Sequence, residues 1–213
     1  MSERPFDAAA FQARTGVSRE TLETFELWRA RLEERNALTN LVGRSTLGDF
    51  WFRHALDSWQ LVDHAPGAKR WLDLGAGAGF PGIAIALTLA DRGVEGALVT
   101  LVESIGKKAD FLSEVVSETK APAIVKGVRA EHLDTGVRQD VVTARAMTEL
   151  DRLLDYANPY VDNGAIALFP KGARHPDELT RARKSWTFEV ETLPSLTHDE
   201  AAILKIERLA RAR

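Results

Sequence analysis

The sequence predicts an α/β protein, an open and mostly parallel sheet wound with helices on both faces and preceded by an N-terminal helical cap. Three observations carry this. From residue 70 onward, short apolar runs alternate with segments of helix length, the pattern of strands joined by helical crossovers that cover both faces of a sheet. A stretch dense in glycine, "LDLGAGAGFPG" (72–82), follows directly on the first of these runs, where a strand hands over to a helix. Ahead of it, residues 18–36 place Leu22, Phe25, Leu27, Trp28 and Leu32 at helical spacing behind Ser18.

Taken in order, the chain begins with that 18–36 helix, and a second helix is expected over about 46–63. The strands are then "RWLDLG", "ALVTLVES", "AIVKG", "DVVTAR" and "GAIALFPKG". Helices are expected between them at 82–91, 106–119 and about 149–160, with "NPY" (158–160) as a helix end carrying a turn residue. A late run, "AAILKIERL", reads as an edge strand paired with "TFEVETL". No repeat or low-complexity linker divides the chain. The expected organisation is a helical extension over 1–65 and a ligand-binding core over 66–213.

Composition narrows the chemistry. The 213 residues suffice for one sizeable α/β core with a modest appendage. There is no cysteine, which removes disulfides, thiolate metal sites and cysteine nucleophiles. The five histidines are scattered without the i, i+4 spacing of a helical zinc site, so no protein-ligated metal is expected. No apolar stretch reaches the length of a membrane span and the N-terminus lacks the layout of a signal peptide. A soluble, cytoplasmic, monomeric protein is expected. The net charge of −3 is concentrated in the middle of the chain, leaving the flanks more basic, which permits a nucleic-acid partner without requiring one.

The glycine loop supports two readings. Gly77, Gly79 and Gly82 fit the dinucleotide spacing G-x-G-x-x-G, while Gly75, Gly77 and Gly79 behind Asp73 fit acidic-x-G-x-G-x-G, the pattern of S-adenosylmethionine enzymes. A carboxylate at Asp73 suits the ammonium group of that cofactor and would repel a pyrophosphate; its plainer role is to cap the glycine turn. Glu103, at the end of the second strand, can accept from ribose hydroxyls in either class. Strand ends of an open sheet converge on one crevice, so the loop "GVRAEHL" brings Ala130, whose N–H could meet an adenine edge, and Glu131, which could accept from the adenine amino group. Arg145, ending "DVVTAR", is placed to hold a carboxylate or a phosphate.

In series, "RHALDS" (53–58), "LDLGAGAGFPG", "LVESIGKKADFL" (101–112), "VRAEHL" (128–133), "TARAM" (143–147) and "PKG" (170–172) resemble the bacterial small-subunit ribosomal RNA guanine-N7 methyltransferases. The resemblance implies a class I S-adenosylmethionine-dependent methyltransferase fold, Rossmann-like with a mostly parallel seven-stranded sheet. The implied substrate is small-subunit ribosomal RNA, free or in a partly assembled 30S subunit. By position it makes Gly75, Gly77, Phe80, Ala130, Glu131 and Arg145 cofactor contacts, with Glu103 at the ribose. The chain departs from the family where "RNALTNLVG" keeps Asn36, Asn40 and Leu41 but has Arg35 and Val42, and where Glu103-Ser104 replaces Asp-Ser.

Guanine N7 carries an unprotonated lone pair at neutral pH, so methylation there calls for positioning and not for a general base; no catalytic acid or base is assigned. Pyrimidine C5 chemistry lacks its cysteine. A nicotinamide-dependent oxidoreductase would use the glycine loop but finds no Tyr-x-x-x-Lys, and a methyltransferase of small molecules is a further alternative. Lys107, Lys108 and Lys171-Gly172 are candidate phosphate contacts. Arg53 and Asp57, one helical turn apart around His54, are either an exposed ion pair or a feature that braces the cofactor crevice or meets RNA.

Overall fold

In a computed structural model, which describes residues 6–38, 41–43 and 47–212, seven strands form one sheet: β1 (Arg70–Leu74), β2 (Leu98–Val102), β3 (Ala123–Lys126), β4 (Val141–Thr143), β5 (Ile166–Lys171), β6 (Trp186–Pro194) and β7 (Ala202–Arg211). Their order is β3-β2-β1-β4-β5-β7-β6. The first five run parallel, and β7 lies antiparallel between β5 and β6.

The late apolar run therefore pairs with the expected partner but is not an edge strand; the edge is β6. Its own residues explain why. Ala202, Ile203, Leu204 and Ile206 are all buried, and a strand covered on both faces needs neighbours on both sides to satisfy its backbone.

Alternation along the strands sorts two cores. Trp71, Val99, Leu101, Val141, Leu168 and Ile203 face one side; Leu72, Leu74, Val102, Val142, Ala167, Phe169, Leu204 and Ile206 face the other. The first face is covered by α1 (Ala8–Thr15), α2 (Arg19–Asn36), a continuous helical segment α3 (50–64), α4 (Gly82–Asp91) and α5 (Gly106–Thr119). On the second face lie α6 (Leu150–Val161) and α7 (His175–Ala182). α3 is wide, of π type, over Phe50–Leu56, α-helical over Asp57–Trp59 and tightens to 3₁₀ over Gln60–His64; residue 46, where the sequence suggests it starts, lies outside the described residues, as does Asn40. Pro159 sits inside the last turn of α6 instead of beyond it.

The N-terminal helices do not form a separate core. Phe11, Phe25, Trp28, Leu32 and Phe50 belong to the same apolar cluster as Ile83 of α4 and Val99 of β2. α2 starts on the Ser18 hydroxyl, which accepts from Thr21 N–H at 3.1 Å, and packs against α4 and α5. This places its aromatic side chains beneath the glycine loop. No helix among the described residues is long and apolar enough to cross a membrane.

Candidate functional site

The strand order reverses at β1, whose neighbours are β2 and β4, and in open α/β sheets ligands bind at the carboxyl ends flanking such a point. The chain leaves β1 through Gly75, Gly77 and Gly79, all at positive φ (71°, 57° and 101°), a region that side chains with a Cβ rarely enter. A Cβ on Gly79 would lie 2.5 Å from Ile83 Cδ1, whereas on Gly77 it would meet nothing of the protein closer than the Gly75 carbonyl at 3.8 Å. Bare backbone at Gly77 thus fronts open space.

Hydrogen bonds to the strands, to α2 and within the turn hold this loop. Ala76 N–H donates to the Val102 carbonyl at 2.9 Å and Gly79 N–H to the Ala76 carbonyl at 2.7 Å. Gly77 N–H donates to Glu103 Oε2 at 3.0 Å, Gly82 N–H to Asp73 Oδ2 at 2.8 Å, and the Trp28 indole N–H to the Ala78 carbonyl at 3.2 Å. Phe80 stacks on His54 with ring centroids 4.7 Å apart and lies 4.4 Å from Trp28.

Asp73 is a correction to the sequence reading. Its carboxylate does not reach the strand mouth; it is fully buried under the start of α4 and acts as the cap of the glycine turn. Residue 73 shares the parity of Trp71, not of Leu72 and Leu74, so it points into the face covered by α4. Burial pushes its carboxyl up to about 7, against the opposing pull of the Gly82 N–H and then of the Arg145 charge. The folded state therefore holds a proton here that the unfolded chain releases near pH 4, and stability falls as pH rises from there through about 7. At about 1.4 kcal/mol per unit, the loss is on the order of 4 kcal/mol. Denaturant titrations from pH 4.5 to 8 are expected to show this decline in the parent and a flatter profile in Asp73→Asn; parallel profiles would contradict the assignment.

The crevice above the loop has a volume of about 620 Å³ and is lined by Gly75, Ala76, Gly77, Ala78, Phe80, Glu103, Ala130, Arg145 and Met147, with Leu41, Val42 and Gly43 on the N-terminal side. Six of the seven residues singled out in the sequence, Gly75, Gly77, Phe80, Glu103, Ala130 and Arg145, thus meet in one lining. Glu131 does not. It lines an adjoining depression, where it accepts from the Tyr156 hydroxyl at 2.9 Å, because the short 3₁₀ turn Ala130–His132 sends successive side chains apart.

Arg145 forms the far wall. Its guanidinium donates to the Arg53 carbonyl at 3.1 Å and to His54 Nδ1 at 2.9 Å, lies 3.6 Å from Asp57 Oδ2, and sits 4.9 Å over the Phe80 ring. A guanidinium only donates, so Nδ1 of His54 is the acceptor. Burial lowers the Arg145 pKa while Asp57 and then Asp73 oppose it. Asp57 in turn accepts from the Thr197 hydroxyl at 2.8 Å, tying α3 to the β6–β7 loop. The "RHALDS" segment is accordingly a brace for the crevice and not a surface ion pair. That segment brings lining residues to both cavities that the glycine pattern alone could not announce.

Beyond Arg145 opens a second cavity of about 730 Å³, which shares His54, Arg145, Ala146 and Met147 with the first and extends to Lys171, Arg174, Thr197 and Glu200. Lys171 is not poised for a phosphate. Its ammonium donates to Glu178 Oε2 at 2.7 Å and to the Thr148 carbonyl at 3.1 Å, and its side chain is 9% exposed.

The donor set fits S-adenosylmethionine: a bare backbone stretch, a carboxylate whose two oxygens each retain a lone pair beside the bonds from Gly77 and Ile105, and an apolar wall at Phe80, Val102 and Val128. The fold is likewise similar to that of a mutant of MtNAS in complex with S-adenosylmethionine, with a TM-score of 0.59, 16% identity, and coverage of 95% of this chain and 84% of that one. At the level of sequence, the chain is 44% identical to the ribosomal RNA small subunit methyltransferase G of Caulobacter vibrioides over 99% of its own length and 96% of that protein. It is 48% identical to the protein of the same name from Rhodospirillum centenum, over 96% and 92%. The family described as rRNA small subunit methyltransferase G matches residues 21–204, which takes in the N-terminal helix α2, the glycine loop and both cavities and sets the oxidoreductase alternative aside. The chain is an S-adenosylmethionine-dependent methyltransferase, and it belongs to the rRNA small subunit methyltransferase G family.

Proposed function

We propose that the protein transfers the methyl group of S-adenosylmethionine to N7 of a guanosine in small-subunit ribosomal RNA, in the cytoplasm, with Gly75, Gly77, Phe80, Glu103, Ala130 and Arg145 forming the cofactor site. The observation that carries the reading is the junction of two cavities across His54, Arg145 and Met147: a cleft for the donor opens into a second space able to take a base. When bound, the cofactor supplies an electrophilic methyl on a sulfonium.

The chain's own part is positional. Glu103 orients the ribose while holding Gly77 N–H, and so couples ligand binding to the shape of the loop. Phe80, fixed between Trp28 and His54, keeps that wall dry. Arg145, tied to α3 by three contacts, sets the distance between the two spaces. Holding nucleophile and methyl in line is worth about 7–11 kcal/mol of barrier, and N7 needs no proton removed. His54 Nδ1 is already engaged by Arg145, in keeping with a site that does no proton transfer.

The test is incubation with methyl-labelled donor and small subunits that lack the modification, followed by mapping of the labelled nucleotide. Label on protein, on a pyrimidine or on a small metabolite would overturn the proposal. Glu103→Gln is expected to weaken donor affinity about tenfold or more, since hydrogen bonds to a charged acceptor are worth about 1.5–3 kcal/mol. Calorimetric titration reads this directly, and an unchanged Kd would remove Glu103 from the ribose.

A further inference from the structure

We infer that the strand-end face grips the phosphodiester backbone of RNA on two groups of cations flanking the crevice: Lys107, Lys108, Lys126 and Arg129 on one side, Arg53 and Arg174 on the other. The inference rests on the proposed RNA substrate and says where that substrate is held.

The first group comes from two adjacent elements. Lys107 and Lys108 occupy the first turn of α5, which contains no acidic residue. Ammonium groups there oppose the positive end of the helix dipole. Lys126 ends β3 directly beside Val102 of β2, and Arg129 lies three residues on, past Gly127, which packs toward Ala109 of α5. Lys108 itself lines the donor crevice. The second group, Arg53 of α3 and Arg174 after β5, lines the second cavity.

None of these six side chains has an ion pair with any described residue, and all except the half-buried Lys108 are exposed. On α2, by contrast, Arg19, Arg29, Arg31 and Arg35 each hold a carboxylate; Lys69, Arg70 and Arg138 at the opposite strand ends are exposed and have no ion pair with a described residue either, which makes them the matched control. Four acids of the strand-end face are themselves taken up by protein groups. Glu103 accepts backbone N–H groups, Glu131 meets Tyr156 and Arg152, Glu149 meets Arg181, and Glu178 meets Lys171; Glu200 also lines the second cavity. Six cations without an ion pair thus flank the crevice beside one exposed acid without one, Glu200, although the whole chain is acidic at −3. Unpaired cations on both sides of an opening suit a strand of phosphates crossing it. Ile105 and Val128, 51% and 36% exposed, add apolar surface beside the first group that a splayed base could cover.

The experiment compares K107Q/K126Q/R129Q, R53Q/R174Q and, as a charge-matched control on the opposite ends of the strands, K69Q/R70Q/R138Q. Each is assayed on naked small-subunit rRNA and on assembled small subunits, with donor Kd measured separately. Each phosphate contact contributes about 0.7 to the slope of log K against log salt for single strands. The first variant is expected to lose about 2 from that slope and to raise the KM for naked rRNA at least tenfold; the second is expected to lose about 1.4. Donor Kd should stay within twofold for all three, and the control should match the parent. Equal shifts in all three would reduce the effect to net charge and overturn the assignment, as would no shift in the two face variants. A defect confined to assembled subunits would give the face to a ribosomal protein and overturn it likewise. If the parent protein methylates neither RNA nor subunits, the functional reading fails first, an outcome distinct from each of these.

Discussion

Gly82→Ala is expected to lower the unfolding free energy by about 2–4 kcal/mol, at or above the upper end of ordinary overpacking. The added Cβ would stand 2.2 Å from Leu101 Cδ2 and 2.6 Å from Asp73 Oδ2, and both neighbours are fully buried, so neither can withdraw. The strain has one outlet, which is to push α4 off β1 and break the bond from Gly82 N–H to Asp73. That leaves a dry carboxyl without its donor, a further cost of about 1–3 kcal/mol, and drags the glycine loop with it. Donor binding should therefore fall along with stability. Gly106→Ala provides the contrast: nothing lies within 4 Å of its Cβ position, and in the first turn of a helix alanine is expected to be neutral or slightly stabilising. Chemical denaturation of the pair decides the matter. A loss below 1 kcal/mol at position 82 would mean that the β1–α4 joint is softer than its geometry states.

Arg145→Ala is expected to reduce methyl transfer at saturating donor and RNA by 100-fold or more. The guanidinium lines both cavities, and it links the Arg53 carbonyl, His54, Asp57 and the Phe80 ring. Removing it frees α3 to move against the loop after β4, and a misplacement of about 1 Å can cost about 100-fold. Arg145→Lys keeps the charge but not the planar fork that reaches two acceptors at once, so it should recover little. Single-turnover rates separate this from a binding defect. A variant that turns over within threefold of the parent would leave Arg145 as a structural residue only.

Much of this was legible in the residues. The alternation of apolar runs and helical segments located β1 to β5 and the helices between them, and the glycine loop located the crevice, because both signals are local and periodic. Orientation was harder to read. Asp73 sits at the expected position, but its parity with Trp71 turns it under α4, a signal present in "WLDL" and outweighed by the motif. Lys171 was legible as a cation near a strand end, while its partner Glu178 comes from α7, a helix whose cues, Pro176 at its start and acids in its first turn, are short. α1 went unread for the same reason, although Asp7 accepts from Ala10 N–H and Gly16 closes its end at φ 71°. The pairing of Arg145 with His54 spans 91 residues, and no local pattern announces a contact of that range.

The indole of Trp28 grips a carbonyl fifty residues ahead of it in the chain. During synthesis the leading helices emerge before any strand exists, so the clamp is made first and its quarry last. A chain trimmed at its front would keep every glycine of the loop yet lose what stiffens it. The ability to take up the donor is, in that sense, a report that the two ends of this interval have found each other.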